Sequence, residues 1–135
     1  MIAERRSMDT QATIKIFSDL ADRWLELSAQ ATDRAAKAKK GSPFALYESI
    51  TSEILTVSSQ ELRGSVAELG TGGIDELTRR IKVLLDDWTF RSEDAKEKSA
   101  KTSLDGARHV GTALGLDMVI AQLKQVIETH HIAIG

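Results

Sequence analysis

The sequence predicts an all-α protein, a bundle of four main amphipathic helices, and three observations indicate this. Apolar residues recur at steps of three and four over most of the 135 residues. No run of alternating β-branched residues is long enough for a strand. Nine glycines and a single proline divide the chain into segments. We expect one helical-bundle domain over residues 9–135, preceded by a flexible N-terminus over residues 1–8.

The first predicted helix covers about residues 9–38 and is amphipathic. Its charged face carries acidic and basic side chains together, including Asp19 and Arg23. Such a helix is expected to bury its apolar face in the core. That face consists of Ile14, Phe17, Leu20, Trp24, Leu27 and Ala31.

A helix end and a new helix start are predicted around Pro43. Gly41 is typical of a helix C-terminus, Ser42 of an N-cap, and Pro43 of the first helical position. The second helix is therefore expected over residues 43–69. Its apolar positions are Tyr47, Ile50, Ile54, Val57, Leu62, Val66 and Leu69.

The third helix is predicted to start near Ile74, after a break at residues 70–73. Asp75 and Glu76 fall in its first turn, where negative charge complements the helix dipole. The apolar signal lapses over residues 91–103. We interpret this stretch as a solvated extension of the helix that ends before Leu104, with a connector as the alternative. The apolar face is formed by Ile74, Leu77, Ile81, Leu84 and Trp88.

The third helix also carries a smaller second stripe. Val83 and Phe90 are seven residues apart and lie away from the main apolar face, beside Asp86 and Asp87. Such a pair indicates either a second internal contact, which we favour, or a docking patch. These four residues are the candidate partner-binding residues.

The fourth helix, over residues 104–131, is apolar on two sides. A helix of this kind lies either at the centre of its own bundle or at a subunit interface. Gly111 and Gly115 are four residues apart and predict the close approach of a neighbouring helix, with a turn around Gly111 as the alternative. One face is Ala107, Val110, Leu114, Met118 and Ala121, and the other is Leu116, Ile120, Leu123 and Ile127.

The residues that would carry catalysis or metal binding do not form a recognisable site. The chain has no cysteine, which excludes disulfides and thiolate chemistry. Glu128 and His131 have a spacing used in di-iron bundles, but those bundles use it twice. The glycines at residues 70–73 are followed by Asp75 and Glu76 rather than by the lysine of a phosphate loop. We therefore predict no catalytic, cofactor-binding or metal-binding residues.

The charge balance argues against nucleic acid as a partner. Lys and Arg total 18 against 20 Asp and Glu, for a net charge of −2, which gives no general attraction to polyanions. The basic run at residues 34–40 contains no aromatic residue to stack on a base. The first ten residues lack a signal-peptide pattern, and the most apolar tract, residues 110–121, contains Asp117. We expect a cytoplasmic protein without a transmembrane segment.

Two short stretches resemble known families. Residues 24–69 contain a long alanine-rich helix, then Ser42-Pro43-x-x-Leu46-x-Glu48 and a second amphipathic helix. This arrangement resembles phasins, amphipathic proteins that coat storage granules, and the resemblance implies a coat function.

The stretch Gly111-Thr112-Ala113-Leu114-Gly115-Leu116 is similar to the turn that follows the phosphorylated histidine in histidine-phosphotransfer domains. That family has His-x-x-Lys-Gly at this point, whereas Ala107 stands four residues before Gly111 and His109 is out of register. The resemblance implies a degenerate signalling domain.

The sequence as a whole predicts a non-enzymatic helical protein-binding module, such as an adaptor, a small inhibitor or an assembly factor. The two-sided fourth helix, the Val83 and Phe90 stripe and the lack of catalytic groups favour this function. A homo-oligomer is compatible with the same observations. The phasin-like coat and the degenerate phosphotransfer domain remain the alternatives.

Overall fold

The structure, a computed structural model, describes residues 2–67, 72–101 and 106–134. It consists of four helices, α1 (Ile2–Lys37), α2 (Pro43–Ala67), α3 (Ile74–Lys101) and α4 (Gly106–Thr129). The described residues contain no strand. The predicted all-α fold and the number of main helices are confirmed. The predicted domain start at residue 9 falls inside α1, and the flexibility of residues 1–8 stays a prediction.

The helix ends follow local sequence signals. The Ala45 N–H donates to Ser42 Oγ at 3.1 Å, so Ser42 caps α2 as predicted, and Gly41 has a φ of 80°. Of the break predicted at residues 70–73, the first two lie outside the described residues, as do Leu69 and Leu104.

A Schellman motif ends α4. His131 has a φ of 52°, and the Ile132 N–H donates to the Ile127 carbonyl at 2.9 Å. The chain therefore reverses after the helix, and Ile132 and Ile134 pack against the core.

The helices form two antiparallel pairs, α1 with α2 and α3 with α4. Small hydroxyl side chains line the first pair. Ser28 Oγ lies 2.6 Å from Thr56 Oγ1, and the buried Ser59 donates to the Ala21 carbonyl at 2.7 Å. These contacts satisfy the polar groups while α1 and α2 pack closely.

A pair of tryptophans joins the two helix pairs at the middle of the core. Trp24 of α1 and Trp88 of α3 are fully buried, with ring centroids 5.7 Å apart at an interplanar angle of 57°. Trp24 Nε1 donates to Gln122 Oε1 of α4 at 2.7 Å. The core around them includes Phe17, Leu55, Leu62, Leu77, Ile81, Val119 and Leu123.

The two α4 glycines lie against α2. A Cβ atom on Gly115 would stand 2.6 Å from Ile54 Cδ1, and one on Gly111 would stand 3.1 Å from Ile50 Cδ1. The predicted close approach of a neighbouring helix is confirmed. Since α4 is continuous through Gly111, the alternative of a turn there is not found.

The second half of α3 differs in part from its prediction. The helix continues to Lys101, and its residues 96–100 are exposed or half-buried, as expected for a solvated extension. Just before them, Ser92 and Ala95 are buried. Ser92 donates to Asp117 of α4. Small side chains form this contact, so the apolar signal lapses although the helix remains packed.

The two faces of α4 have different surroundings. Leu116, Ile120 and Leu123 are buried, whereas Val110 and Leu114 are exposed, the latter by 50%. Within this chain α4 is therefore covered on one side, and the central placement with cover on both sides is not found. A subunit interface on the other side stays a prediction.

By length and composition, α4 is the one helix among the described residues that is apolar enough to cross a membrane. A core helix of a helical bundle can meet the same criteria. One face of α4 is buried, and its two glycines lie against α2.

Candidate functional site

The four candidate partner-binding residues share the outer face of α3. Val83 is 63% exposed and Phe90 is 68% exposed, and Asp86 and Asp87 are exposed between them. The interpretation we favoured from the sequence, a second internal contact, is wrong because neither apolar side chain is covered. Two helical turns separate Val83 from Phe90, roughly 10 Å along the axis. We call these four residues the α3 patch.

Ion pairs along the helix compensate the two carboxylates of the α3 patch. Lys82 Nζ lies 3.2 Å from Asp86 Oδ2, and Arg91 Nε donates to Asp87 Oδ2 at 2.9 Å. Each pair spans four residues and is worth only about 0.3–0.5 kcal/mol when exposed. The patch therefore presents two apolar side chains with little net charge between them.

Arg91 ties the α3 patch to α2. Its Nη1 donates to Glu61 Oε1 at 3.1 Å, and its Nη2 donates to Glu61 Oε2. The hydrogen bonds from Arg91 to Glu61, and then those to Asp87, raise the pKa of the Arg91 guanidinium above its ordinary value against the opposing effect of burial. This bidentate contact fixes the side chain that holds Asp87.

A shallow pocket of about 370 Å³ adjoins the α3 patch at Val83. Val83 and Asp87 contribute to it from α3, and Ser65 closes it from α2. Two arginines that line the pocket are held by Glu76. Arg79 Nη1 lies 2.9 Å from the Glu76 carboxylate, and Arg80 Nε lies 3.1 Å from it. The described residues that line this pocket are Ser65, Arg79, Arg80, Val83, Leu84 and Asp87.

Arg79, Arg80 and Ser65 are not among the site residues predicted from the sequence. Arg79 and Arg80 follow Glu76 by three and four residues, and this spacing was the available signal for their orientation. Ser65 belongs to another helix, so its position beside Val83 depends on the packing of α2 against α3.

Asp117 of α4 contacts polar side chains of α3. Burial raises the pKa of its carboxyl, but the hydrogen bond from Ser92 and the hydrogen bond and charge of Lys96 outweigh burial, so the pKa lies below its ordinary value. Lys96 Nζ stands 3.0 Å from Asp117 Oδ2. Asp117 therefore links α4 to α3 and is not free to act as a base.

The histidines lie apart from the α3 patch. His109 is half-buried near the start of α4, and His130 and His131 are exposed just beyond its end. Within residues 2–67, 72–101 and 106–134, no three His, Cys, Asp or Glu side chains are grouped as a metal site would need.

The residues behind the two family resemblances have structural roles in this chain. Gly111 and Gly115 contact α2, and Ser42 caps it. Phe44 and Tyr47, near the start of α2, are exposed, while Ile50 and Leu55 on the same helix are buried.

The protein is an antiparallel four-helix bundle that carries an exposed apolar patch beside a shallow pocket. No protein-family model matches the chain, nor does any curated protein or solved structure.

Proposed function

We propose that the protein is a non-enzymatic binding module, acting as an adaptor, a small inhibitor or an assembly factor, and that the α3 patch binds a helix of a protein partner. The observation that carries this proposal is the pair of largely exposed apolar side chains, Val83 and Phe90, on one helix face beside a pocket. Apolar side chains at this spacing match the contacts of an amphipathic helix laid along α3.

The chemistry of the patch indicates the kind of helix that fits. One apolar side chain of the partner would enter the pocket beside Val83, and a second, two turns away, would pack on Phe90. The carboxylates between them already have cationic partners in Lys82 and Arg91. Docking would therefore bury compensated charges, which avoids the cost of desolvating a lone carboxylate.

Affinity capture with matched variants tests the proposal. The double variant Val83→Ser/Phe90→Ser removes the patch, and Leu25→Ser serves as the control because Leu25 is 40% exposed on α1. We expect one captured protein to be retained by the wild type and the control and lost by the double variant, and to bind again when purified. Equal capture by all three proteins would contradict the proposal.

We also propose that the outer face of α4 binds a second copy of the chain. Five uncharged residues form this face, of which Met118 is half-buried against the core and the other four are exposed. The exposed four are Ala107, Val110, Leu114 and Ala121. A two-fold symmetric contact places the same surface on both subunits, so an uncharged stripe can face itself without repulsion between like charges. This arrangement would cover the second apolar side of α4.

The phasin-like coat is the second candidate function, and the exposure of Phe44 and Tyr47 favours it. A coat would bind an apolar surface through these side chains. Adsorption to triglyceride droplets that is lost in Phe44→Ser/Tyr47→Ser would support it. No observation favours the phosphotransfer-derived alternative, which stays a prediction, as does the cytoplasmic location.

A further inference from the structure

A second pocket of about 370 Å³ opens between α2, α3 and α4, on the side of the bundle where α4 begins. This volume falls within the range of roughly 300–1,000 Å³ typical of small-molecule sites. Ile50 and Ile54 of α2, Ala95 of α3 and Leu116 of α4 give it apolar walls. No residue of the α3 patch or of the outer face of α4 lines this pocket, although Arg91, which pairs with Asp87 of the patch, does.

One cation that lines this pocket has no ionic partner among the residues that the structure describes. Arg91 is paired with Glu61 and Asp87, and Lys98 Nζ lies 2.9 Å from Asp94 Oδ2. Arg108 lines the same rim and makes no ion pair with the described residues, and the half-buried His109 stands beside it. The rim can therefore offer a positive charge and an imidazole to an anion.

The hydroxyl group of Ser58 also lines the pocket. The residue as a whole is 2% exposed, and its hydroxyl makes no hydrogen bond within the part of the chain that the structure describes. The hydroxyl is therefore available to a molecule in the cavity. Ile50 and Ser58, which both line the pocket, are about 12 Å apart along α2. The cavity thus has a cationic end, an apolar middle and an unpaired hydroxyl.

One carboxylate at the rim opposes an anion. Glu53 is exposed and lines the pocket without an ion pair to the described residues. Glu53 and Arg108 are both exposed, so water screens the charges of both. A carboxylate in direct contact with Arg108 also gains a charge-assisted hydrogen bond, which the repulsion from Glu53 does not offset. Asp94 also lines the rim, but its charge is compensated by Lys98.

We propose that this pocket binds a small amphipathic monocarboxylate. Its carboxylate would pair with Arg108 beside His109, its apolar chain would lie on Ile50, Ile54 and Leu116, and a hydroxyl group at its far end would bond to Ser58.

Titration calorimetry with decanoate, 10-hydroxydecanoate, decanol and decylamine tests this proposal. We expect saturable one-to-one binding of the two carboxylates, with 10-hydroxydecanoate the tighter, and much weaker binding of decanol and decylamine. Arg108→Gln should weaken the binding of both carboxylates by about tenfold, since it removes a charge-assisted contact. Glu53→Gln, the matched control at the rim, should strengthen binding slightly.

Ser58→Ala separates the role of the hydroxyl group from that of the cavity. We expect this variant to bind decanoate as the wild type does and to lose the preference for 10-hydroxydecanoate. Circular dichroism of each variant shows whether the bundle is still folded. Equal binding of decanoate, decanol and decylamine would overturn the proposal, as would no saturable binding below about 1 mM or an unchanged affinity in folded Arg108→Gln.

Discussion

Gly111 and Gly115 determine how closely α2 and α4 approach each other. Their four-residue spacing was visible in the sequence, and the side chains that they contact, Ile50 and Ile54, were predicted as apolar positions of α2. The partner helix could not be predicted, because any of the three other helices offers a suitable apolar face. The structure identifies α2.

Gly115→Ala should destabilise the protein despite the better helix propensity of alanine. The new Cβ atom would stand 2.6 Å from Ile54 Cδ1 and 3.4 Å from Ile54 Cβ, so α2 or the isoleucine must shift. We expect a loss of about 1 kcal/mol in the free energy of unfolding, as overpacking outweighs the propensity gain. Urea unfolding followed by circular dichroism measures it.

Gly64→Ala and Ile54→Val are the matched controls for this prediction. Gly64 lies within α2 with no atom within 4 Å of the added Cβ, so its replacement by alanine should stabilise by about 0.5–1 kcal/mol. Ile54→Val removes Cδ1, so Gly115→Ala should cost less in that background. Stabilisation by both glycine substitutions to the same extent would contradict the close approach.

The two core tryptophans should respond differently to replacement by phenylalanine. Trp24→Phe removes the hydrogen bond to Gln122, whereas Trp88 Nε1 has no partner among the described residues. Both changes remove the same volume, so we expect Trp24→Phe to cost about 1 kcal/mol more in the free energy of unfolding. Equal losses in chemical denaturation would show that the Gln122 bond contributes nothing.

At the scale of elements, the helix starts and apolar faces could be predicted because they depend on local signals. Ser42, Pro43 and Ile74 mark helix starts, and the step of three and four marks each core face. The packing of α3 around Ser92 and Ala95 could not be predicted, because small side chains contribute little to a hydropathy pattern. Their burial depends on how closely α4 approaches, which is a tertiary property.

The pairing of α3 with α4 through Asp117 should make stability depend on pH. The pKa of Asp117 is lowered in the folded protein, so its contribution is complete above the pKa of the unfolded chain, about 3.9. That contribution is lost as the pH falls through the lower pKa of the folded state.

Asp117→Asn tests this dependence. The wild type should be more stable than the variant at neutral pH. The difference should shrink as the pH falls below the pKa of the unfolded carboxyl, about 3.9, and through the lower pKa of the folded state. Unfolding by urea across this range measures both proteins. A difference that is independent of pH would contradict the role of the ionised carboxylate.

At the scale of the whole molecule, the sequence predicted which side chains form the α3 patch but not that they are exposed. Periodicity places Val83 and Phe90 away from the core face, and only the arrangement of the other helices determines whether something covers them. The same reason applies to α4, whose second apolar face is uncovered in the single chain.

The outer face of α4 should hold two copies of the chain together. We expect a dimer by light scattering, and Leu114→Glu should yield a folded monomer because it places like charges across the symmetric contact. Leu25→Glu, on α1, is the control and should leave the dimer intact. A monomeric wild type at high concentration would contradict this interface.

Photocrosslinking from the α3 patch tests whether this surface binds a protein partner. Phe90 and, as the control, Leu25 are each replaced by benzoylphenylalanine, and the proteins are irradiated in the cells that make them. We expect a discrete crosslinked partner at position 90 that is absent at position 25. No crosslink at position 90, or the same crosslinks at both positions, would contradict it.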